Sequence, residues 1–285
     1  MTTERLLILG GTGEAAELAR AAAERFGDAL VVATSLAGRT ERPRSVAGLV
    51  RTGGFGGPAG LAAYLTEHGI GRLIDATHPF ATRISAAARL ACEQANVPRL
   101  VLRRPPWQRH PHDHWIEVDG ITAAAAIVDR AGRRAWLTLG ASEIAAFSGA
   151  TAVHFLVRLV DPPRHPLPLR SYEVIVGRGP FSVAEEHSHI ERHAIDVLVS
   201  KASGGAATEA KIIAARERGL PVIMVRRPPP EPGEAVDTVE EALDWLAGSY
   251  RIPRQGGCHE NLPDLRTLAG RARYRCARPG GACRC

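Results

Sequence analysis

The sequence lacks any apolar run approaching the roughly 18 residues that a membrane-spanning helix needs. Its first residues, Met1 to Arg5, lead directly into a short apolar strand, so no targeting segment is predicted there. We therefore expect a cytoplasmic protein with no membrane partner. With 285 residues, 45% of them hydrophobic, the chain is long enough to build two domains with real cores.

Cysteine is almost absent before residue 250, where Cys92 stands alone, which excludes a disulfide scaffold. The other four cysteines lie in residues 251–285, and their spacings do not match those of familiar zinc modules. We expect no metal. The same segment holds eight arginines against two acidic residues, so we interpret 251–285 as a basic, cysteine-containing, disordered tail. Its partner, whether nucleic acid or an acidic protein, stays open.

A basic surface is missing from residues 1–250, where 28 basic residues balance 28 acidic ones. The overall charge of +6 therefore resides in the tail, and no nucleic-acid partner is expected for residues 1–250. The Gly-x-Ser-x-Gly, His-Glu-x-x-His and P-loop patterns are absent as well, which removes support for hydrolases and kinases.

Short apolar runs alternate with alanine-rich helical stretches, as in βα units with a mostly parallel sheet. We predict strands near 5–9, 29–34, 49–52, 72–75, 99–102, 115–118, 135–138, 153–157, 172–176, 195–199 and 221–225. Helices are predicted near 14–26, 58–68, 80–95, 121–131, 141–147, 181–192, 206–218 and 238–247. The fold class is α/β, with two Rossmann-like domains and a cleft between them.

Two prolines in Arg103-Arg104-Pro105-Pro106-Trp107 interrupt regular structure between the two series of elements. We predict a nucleotide-binding domain over 1–104 and a second α/β domain on the substrate side over 105–250. No internal repeat is visible in the sequence.

The first strand ends in a glycine-rich loop that opens a helix and fits the dinucleotide pattern Gly11-x-Gly13-x-x-Ala16. A helix N-terminus with glycines beside it can bind a phosphate through unpaired N–H groups. A plain tight turn is the alternative. The candidate cofactor-binding residues of this loop are Gly10, Gly11, Thr12, Gly13 and Glu14.

The second strand ends without the acidic residue that would bind the ribose 2′-hydroxyl of NAD. Ser35 and Arg39 stand there instead, which suits the 2′-phosphate of NADP, although Arg39 also fits a solvated surface position. Gly53, in the glycine run after the third strand, allows a cofactor or another backbone to come close.

The fourth strand ends in Asp75-Ala76-Thr77-His78-Pro79-Phe80-Ala81, which combines an acid, a hydroxyl and an imidazole. Pro79 suits the first position of a helix, with Thr77 or His78 near its cap. Capping leaves Asp75 and His78 without a role, so we predict a site here, with Asp75 and His78 catalytic and Thr77 binding the cofactor.

A further strand leads into Ser200-Lys201-Ala202-Ser203-Gly204-Gly205, a loop with backbone donors and one cation. Lys201 is one of two lysines against 34 arginines, which favours a specific, catalytic use of its ammonium group. The other, Lys211, is expected on a helix surface. Alternate histidines 110, 112 and 114 could suit a metal, but an exposed polar loop explains them better.

Taken together, these motifs resemble one known family, the precorrin-6A reductases of cobalamin biosynthesis (CobK/CbiJ), over roughly residues 1–248. The resemblance rests on the ordered set of the glycine loop at 10–15, residues 75–81, Arg104-Pro105 with Trp107, Gly177-Arg178-Gly179-Pro180-Phe181, residues 200–205 and residues 221–228. It implies a reductase that uses NADPH to convert precorrin-6A into precorrin-6B. Family members often carry Asp or Asn where this chain has Ala202.

The substrate implied by this resemblance is a flat polyanion with several acetate and propionate groups, which calls for cations and an aromatic wall. The predicted substrate-binding residues are Arg104, Trp107, Arg109, Arg178, Ser203 and Gly204. The proton donor is open between His78, Lys201 and water. A non-catalytic NADP-binding sensor or carrier is the competing interpretation.

Overall fold

The computed structural model describes residues 3–38 and 46–248. Within these ranges the strands are β1 (Glu4–Leu9), β2 (Leu30–Leu36), β3 (Leu49–Thr52), β4 (Arg72–Asp75), β5 (Arg99–Leu102), β6 (His114–Val118), β7 (Arg134–Leu137), β8 (His154–Leu159), β9 (Tyr172–Val176), β10 (Val197–Lys201), β11 (Pro221–Val225) and β12 (Ala235–Val236). The α-helices are α1 (Gly13–Phe26), α2 (Pro58–Glu67), α3 (Thr82–Ala95), α4 (Ile121–Ala131), α5 (Val183–Arg192), α6 (Ala210–Glu217) and α7 (Val239–Leu246). The stretches Ala141–Phe147 and Ala206–Thr208 are 3₁₀-helices rather than α-helices.

The strands form two six-stranded sheets, β12-β5-β4-β1-β2-β3 and β6-β11-β10-β7-β8-β9. Every described strand pair is parallel. The central strands are continuous apolar runs because helices cover both faces of each sheet. The predicted α/β class with two Rossmann-like parallel sheets is confirmed.

Both sheets have the doubly wound order 3-2-1-4-5-6, but the sixth strand of each comes from the other half of the chain. β6 follows β5 in sequence and pairs with β11 of the second sheet. β12 pairs with β5 of the first sheet, and α7 packs in the core beside it. Residues 235–246 therefore differ from the predicted division, which assigned all of 105–250 to the second domain.

Each sheet has a hydrophobic core on both faces. In the first sheet, α1 and α7 cover one face, while α2 and α3 cover the other. In the second sheet, α4 and the 3₁₀-helix of residues 141–147 cover one face, and α5 and α6 cover the other around the fully buried Trp136. Phe80, which follows β4 of the first sheet, packs against a core of the second sheet. No helix in the described ranges is long and apolar enough to cross a membrane.

Candidate active site

The loop after β1 has the geometry of a phosphate-binding turn. Gly10 is held closely, because its N–H donates to the Ser35 carbonyl at 2.9 Å and a Cβ there would lie 2.8 Å from Thr34 Cγ2. Gly11 has a φ of 107° and open space where a side chain would stand. Thr12 caps α1, accepting from the Ala15 N–H, and its hydroxyl donates to the Ala76 carbonyl at 2.8 Å. The start of α1 is therefore capped by Thr12, and no described atom lies within 4 Å of the place where a Gly11 side chain would stand.

The loops after β2 and β3 lie next to each other. Ser35 is buried, and the Gly53 N–H donates to the Leu36 carbonyl at 2.9 Å. Arg51, which the sequence did not single out, donates to the carbonyls of Gly53 and Gly54 at 2.6 and 2.7 Å. Its guanidinium also stacks 3.9 Å above the Phe55 ring. The glycine loop is thus folded around an arginine. Arg39 lies outside the described residues.

Asp75 at the end of β4 organises the turn that follows it. One carboxylate oxygen accepts from the Thr77 N–H at 3.1 Å and the Thr77 hydroxyl at 2.7 Å. The other oxygen is buried and has no hydrogen-bond partner among the described residues. The predicted helix start at Pro79 is wrong, because α3 begins at Thr82. Asp75, not a helix cap, fixes this turn.

His78 joins the first sheet to the second. Its Nδ1 accepts from the Phe80 N–H at 3.2 Å, which leaves the ring proton on Nε2 to donate to the Ser203 hydroxyl at 3.0 Å. Burial lowers the pKa of His78 to about 3, with the positive charges of Lys201, Arg104, Arg227 and Lys211 adding to the effect. His78 is therefore neutral at neutral pH and acts as an N–H donor rather than as an imidazolium acid.

Lys201 lies close by at the end of β10. Its ammonium donates to both carboxylate oxygens of Glu143, at 3.0 and 2.9 Å, and lies 5.0 Å from the centre of the Phe80 ring. Glu143 also accepts from the Gly140 N–H, which fixes the carboxylate at the start of a 3₁₀-helix. The sequence predicted the lysine but not its partner. The pair holds one cation in a fixed orientation, with one N–H remaining for a ligand.

Arg104 and Glu14, which are 90 residues apart in the sequence, form a bidentate ion pair. The guanidinium donates to the two Glu14 oxygens at 2.8 and 2.6 Å. Burial raises the pKa of Glu14, but the hydrogen bond and charge of Arg104 outweigh it, so the pKa is lowered overall. A narrow cleft with no room for a water molecule lies between this pair and the strand ends, and it is lined by Thr12, Glu14, Ala76, Thr77, Leu102 and Arg104.

The connector after Arg104 is pressed against the loop after β10. Gly205 donates to the Pro105 carbonyl at 3.1 Å, and the Trp107 indole donates to the Gly205 carbonyl at 2.9 Å. A Cβ on Gly204, whose φ is 68°, would lie 2.1 Å from the Pro105 oxygen. Arg227, which sequence reasoning missed, donates to the carbonyls of Arg104 and Ser203. No side chain larger than glycine fits at position 204.

Two predicted substrate-binding residues lie apart from this cluster. Arg109 is exposed, and its guanidinium lies 6.0 Å from the centre of the Trp115 ring. Arg178 is exposed in the loop after β9. Lys211, expected on a helix surface, is instead buried, with 6% of its area exposed. The described residues contain no group of three or more His, Cys, Asp or Glu arranged to hold a metal, and the four tail cysteines lie outside them.

The geometry brings loops from both sheets together, with Thr12, Glu14, Thr77, His78, Lys201 and Ser203 near the Arg104 connector. Comparisons with known proteins identify the family. Residues 5–247 match the family described as Precorrin-6x reductase CbiJ/CobK. The chain is 46% identical to a precorrin-6A reductase of Rhodococcus erythropolis, over 85% of this chain and 97% of that one.

Two further relatives give the same result. A precorrin-6A reductase of Rhodobacter capsulatus is 43% identical, over 88% of this chain and 98% of that one. A solved structure titled CobK precorrin-6A reductase superposes with a TM-score of 0.82 at 42% identity, covering 88% of this chain and 99% of that one. The chain belongs to the precorrin-6x reductase CbiJ/CobK family.

Proposed function

We propose that this chain catalyses the NADPH-dependent reduction of one double bond of precorrin-6A, giving precorrin-6B in the synthesis of the corrin ring. Family membership supports the activity and the cofactor. The observation that carries the proposal is the hydrogen bond between His78 and Ser203, since it joins a cofactor-side loop to a substrate-side loop. The relatives described above are named for precorrin-6A, which favours the cobalt-free substrate.

The cofactor side is the end of the first sheet. Gly10, Gly11, Thr12 and Gly13 offer a turn and a helix N-terminus to the pyrophosphate, because an open space faces Gly11. Glu14 orients Arg104 there, and Thr77 lines the cleft. Ser35 and Arg39 give the preference for a 2′-phosphate, and Gly53 leaves room beside Ser35. NADPH supplies the hydride when bound.

The substrate side offers cations and an aromatic wall to the carboxylates and flat ring of the tetrapyrrole. We assign this role to Arg104, Trp107, Arg109, Arg178, Ser203 and Gly204. Arg104 is already fixed by Glu14 and Trp107 by the Gly205 carbonyl, so little side-chain freedom is lost when a ligand binds. Arg109 and Arg178 are exposed and free to reach peripheral carboxylates.

Lys201 donates the proton that must accompany the hydride. His78 is neutral at neutral pH, whereas Lys201 is a cation whose position Glu143 fixes. His78 instead holds Ser203, and Asp75 holds Thr77, so these two predicted catalytic residues act by orienting their neighbours. A cytoplasmic location, a separate role for the tail and a domain division in which residues 235–246 join the first domain belong to the same proposal.

Turnover of purified protein with NADPH and precorrin-6A tests the activity. We expect loss of the near-ultraviolet absorbance of the reduced nicotinamide together with a change in the tetrapyrrole spectrum. Cofactor binding without turnover would support the sensor interpretation instead. Cobalt-precorrin-6A, measured beside the cobalt-free compound, tests the assigned substrate through the ratio of the two kcat/KM values.

Two substitutions test the residue roles. Lys201→Met should lower kcat by about 100-fold or more, the usual contribution of a general acid, with little change in the Kd of NADPH. Arg39→Ala should weaken NADPH about tenfold relative to NADH. An unchanged ratio of NADPH to NADH would remove Arg39 from the 2′-phosphate site, and an unchanged kcat would remove Lys201 from proton transfer.

A further inference from the structure

A layer of buried charge lies beneath the loops of the second sheet, and apart from the effect of Lys211 on His78 its members have not been given a role above. Arg158 on β8 donates from Nη1 to both carboxylate oxygens of Glu186 on α5, at 2.9 Å each. The two side chains are 10% and 2% exposed. Lys211 on α6 is buried and interacts electrostatically with both of them. These three residues form a charged interior in a layer that would otherwise be apolar.

Arg158 supports the loop that carries Arg178. Its guanidinium lies between two aromatic rings, 4.2 Å from the centre of the Phe181 ring and 4.9 Å from the centre of the Trp136 ring. The Phe181 ring packs closely against the backbone of its own loop, since a Cβ on Gly177 or Gly179 would lie 3.2 to 3.4 Å from its ring atoms. The loop is therefore wrapped around a ring that rests on a buried arginine, with Arg178 exposed above it.

Lys211 supports the other substrate-side loop. Its ammonium donates to the Thr208 carbonyl at 2.7 Å and lies 5.2 Å from the centre of the Trp107 ring. The Thr208 hydroxyl donates to the Gly204 carbonyl at 3.0 Å, and Trp107 donates to Gly205. Lys211 therefore adds a buried support to a segment that Arg227, Pro105 and Trp107 also hold.

The two supports share one electrostatic environment. Burial lowers the pKa of Lys211 to about 7 together with the positive charges of Arg158 and Arg104, while the charge of Glu186 opposes them. Buried ion pairs contribute little net stability compared with apolar side chains of similar size, because desolvation offsets their attraction. Stability therefore does not account for this layer, whereas fixing the position of two loops does.

We propose that Arg158, Glu186 and Lys211 are positioning residues that hold the loops 177–181 and 203–208 in the orientation that binds the tetrapyrrole. The inference rests on the proposed function of these loops as the substrate side. The three residues act through Phe181 and Thr208 and do not touch the substrate. Their loss should therefore affect substrate affinity while the cofactor site of the first sheet is unchanged.

Lys211→Met is the first test, since methionine fills the space without a charge or a hydrogen bond. We expect the KM for precorrin-6A to rise about tenfold, with kcat and the Kd of NADPH within about twofold of the wild type. Because the pKa of Lys211 is lowered to about 7 beside Arg158, Glu186 and Arg104, the ammonium should lose its charge as the pH rises, so the KM of the wild type should rise with it and that rise should be absent in Lys211→Met. Lys211→Arg should restore part of the affinity.

Phe181→Leu tests the other support and leaves the buried ion pair intact. We expect a higher KM for precorrin-6A in this variant too. Arg178→Ala should then raise the KM by a smaller factor in the Phe181→Leu background than in the wild type. Arg72→Met is the matched control, because this arginine pairs with Glu4 and the end of α7, away from both loops. Its KM should equal that of the wild type.

Three results would overturn the inference: an unchanged KM in Lys211→Met, fully additive effects of Phe181 and Arg178, or an equal loss of NADPH affinity. Failure of the wild type to reduce precorrin-6A would count against the proposed function alone. In that case direct titration of precorrin-6A, followed by its absorbance, still compares the variants, and equal Kd values would reject the positioning role.

Discussion

The two sheets share a strand order, but their carboxyl ends differ in chemistry. The first sheet ends in glycine loops, a capped helix N-terminus and a neutral histidine. The second ends in cations that are already paired or buried, with Lys201 on Glu143, Arg158 on Glu186 and Lys211 beneath Thr208. One scaffold therefore carries glycine loops and a helix N-terminus at the end of one sheet and fixed positive charge near the end of the other.

The largest expected effect concerns His78, which belongs to the first sheet but lies among the cations of the second. Its pKa is about 3 in the folded protein and near 6.5 in an unfolded chain, so the unfolded state binds a proton first as the pH falls. The stability that neutral His78 contributes is present above pH 6.5 and is lost progressively towards pH 3. We expect a loss on the order of 4 kcal/mol over this window.

Denaturant unfolding at a series of pH values measures this loss. His78→Gln should be less stable than the wild type at pH 7 but should lose less stability as the pH falls. His112→Gln, which removes an exposed histidine, is the control and should keep the wild-type slope. Identical slopes for His78→Gln and the wild type would mean that the second sheet does not keep this imidazole neutral.

A substitution at Gly204 tests how closely the loop after β10 packs against the connector at Pro105. A Cβ there would meet the Pro105 carbonyl oxygen at 2.1 Å, and the backbone has a φ of 68°. Gly204→Ala should therefore cost about 3 kcal/mol of unfolding free energy and most of the activity. Gly219→Ala is the matched control, because its φ is 64° and it has open space around it, so it should cost only about 1 kcal/mol. Equal losses of unfolding free energy in the two variants would mean that the connector at Pro105 moves away to make room for the added methyl group.

The smallest effect is expected at the pair that links the glycine loop to the connector. Glu14→Gln removes the negative charge that faces Arg104. Because Glu14 is about one-third exposed, we expect the free energy of unfolding, measured by denaturant titration, to fall by about 1 kcal/mol. The lowered pKa of Glu14 makes this stability present above the ordinary pKa of 4.5 and lost as the pH falls through the folded value. Glu24→Gln, in the exposed pair with Arg20 on the same helix, should change thermal stability less.

Sequence reasoning identified most elements because buried parallel strands and their helices leave local signals. Apolar runs such as Leu6 to Leu9 and Val197 to Val199 matched β1 and β10. β12 was not predicted, since a strand of two residues shows no hydrophobic periodicity. The start of α3 was misplaced because Pro79 suits either a turn or a helix start, and the Asp75 side chain decides between them.

The residue types of the site were predictable, but their partners were not. Lys201, His78 and Ser203 stood out by composition and position at strand ends. Glu143 and Arg227 did not, because they lie 58 and 24 residues from the groups they contact, and no local pattern marks such pairs. The burial of Lys211 was missed for the same reason, since a lysine on a helix is ordinarily exposed.

The sequence alone determined the α/β class, the position of the strand-end loops and the family, because these depend on local periodicity and on motifs in a fixed order. The tertiary structure alone decided that the two sheets exchange their sixth strands, that His78 is neutral and that two loops rest on buried charge. Strand partners, desolvation and charge-to-charge distances are set by residues far apart in the chain, and only the folded packing brings them together.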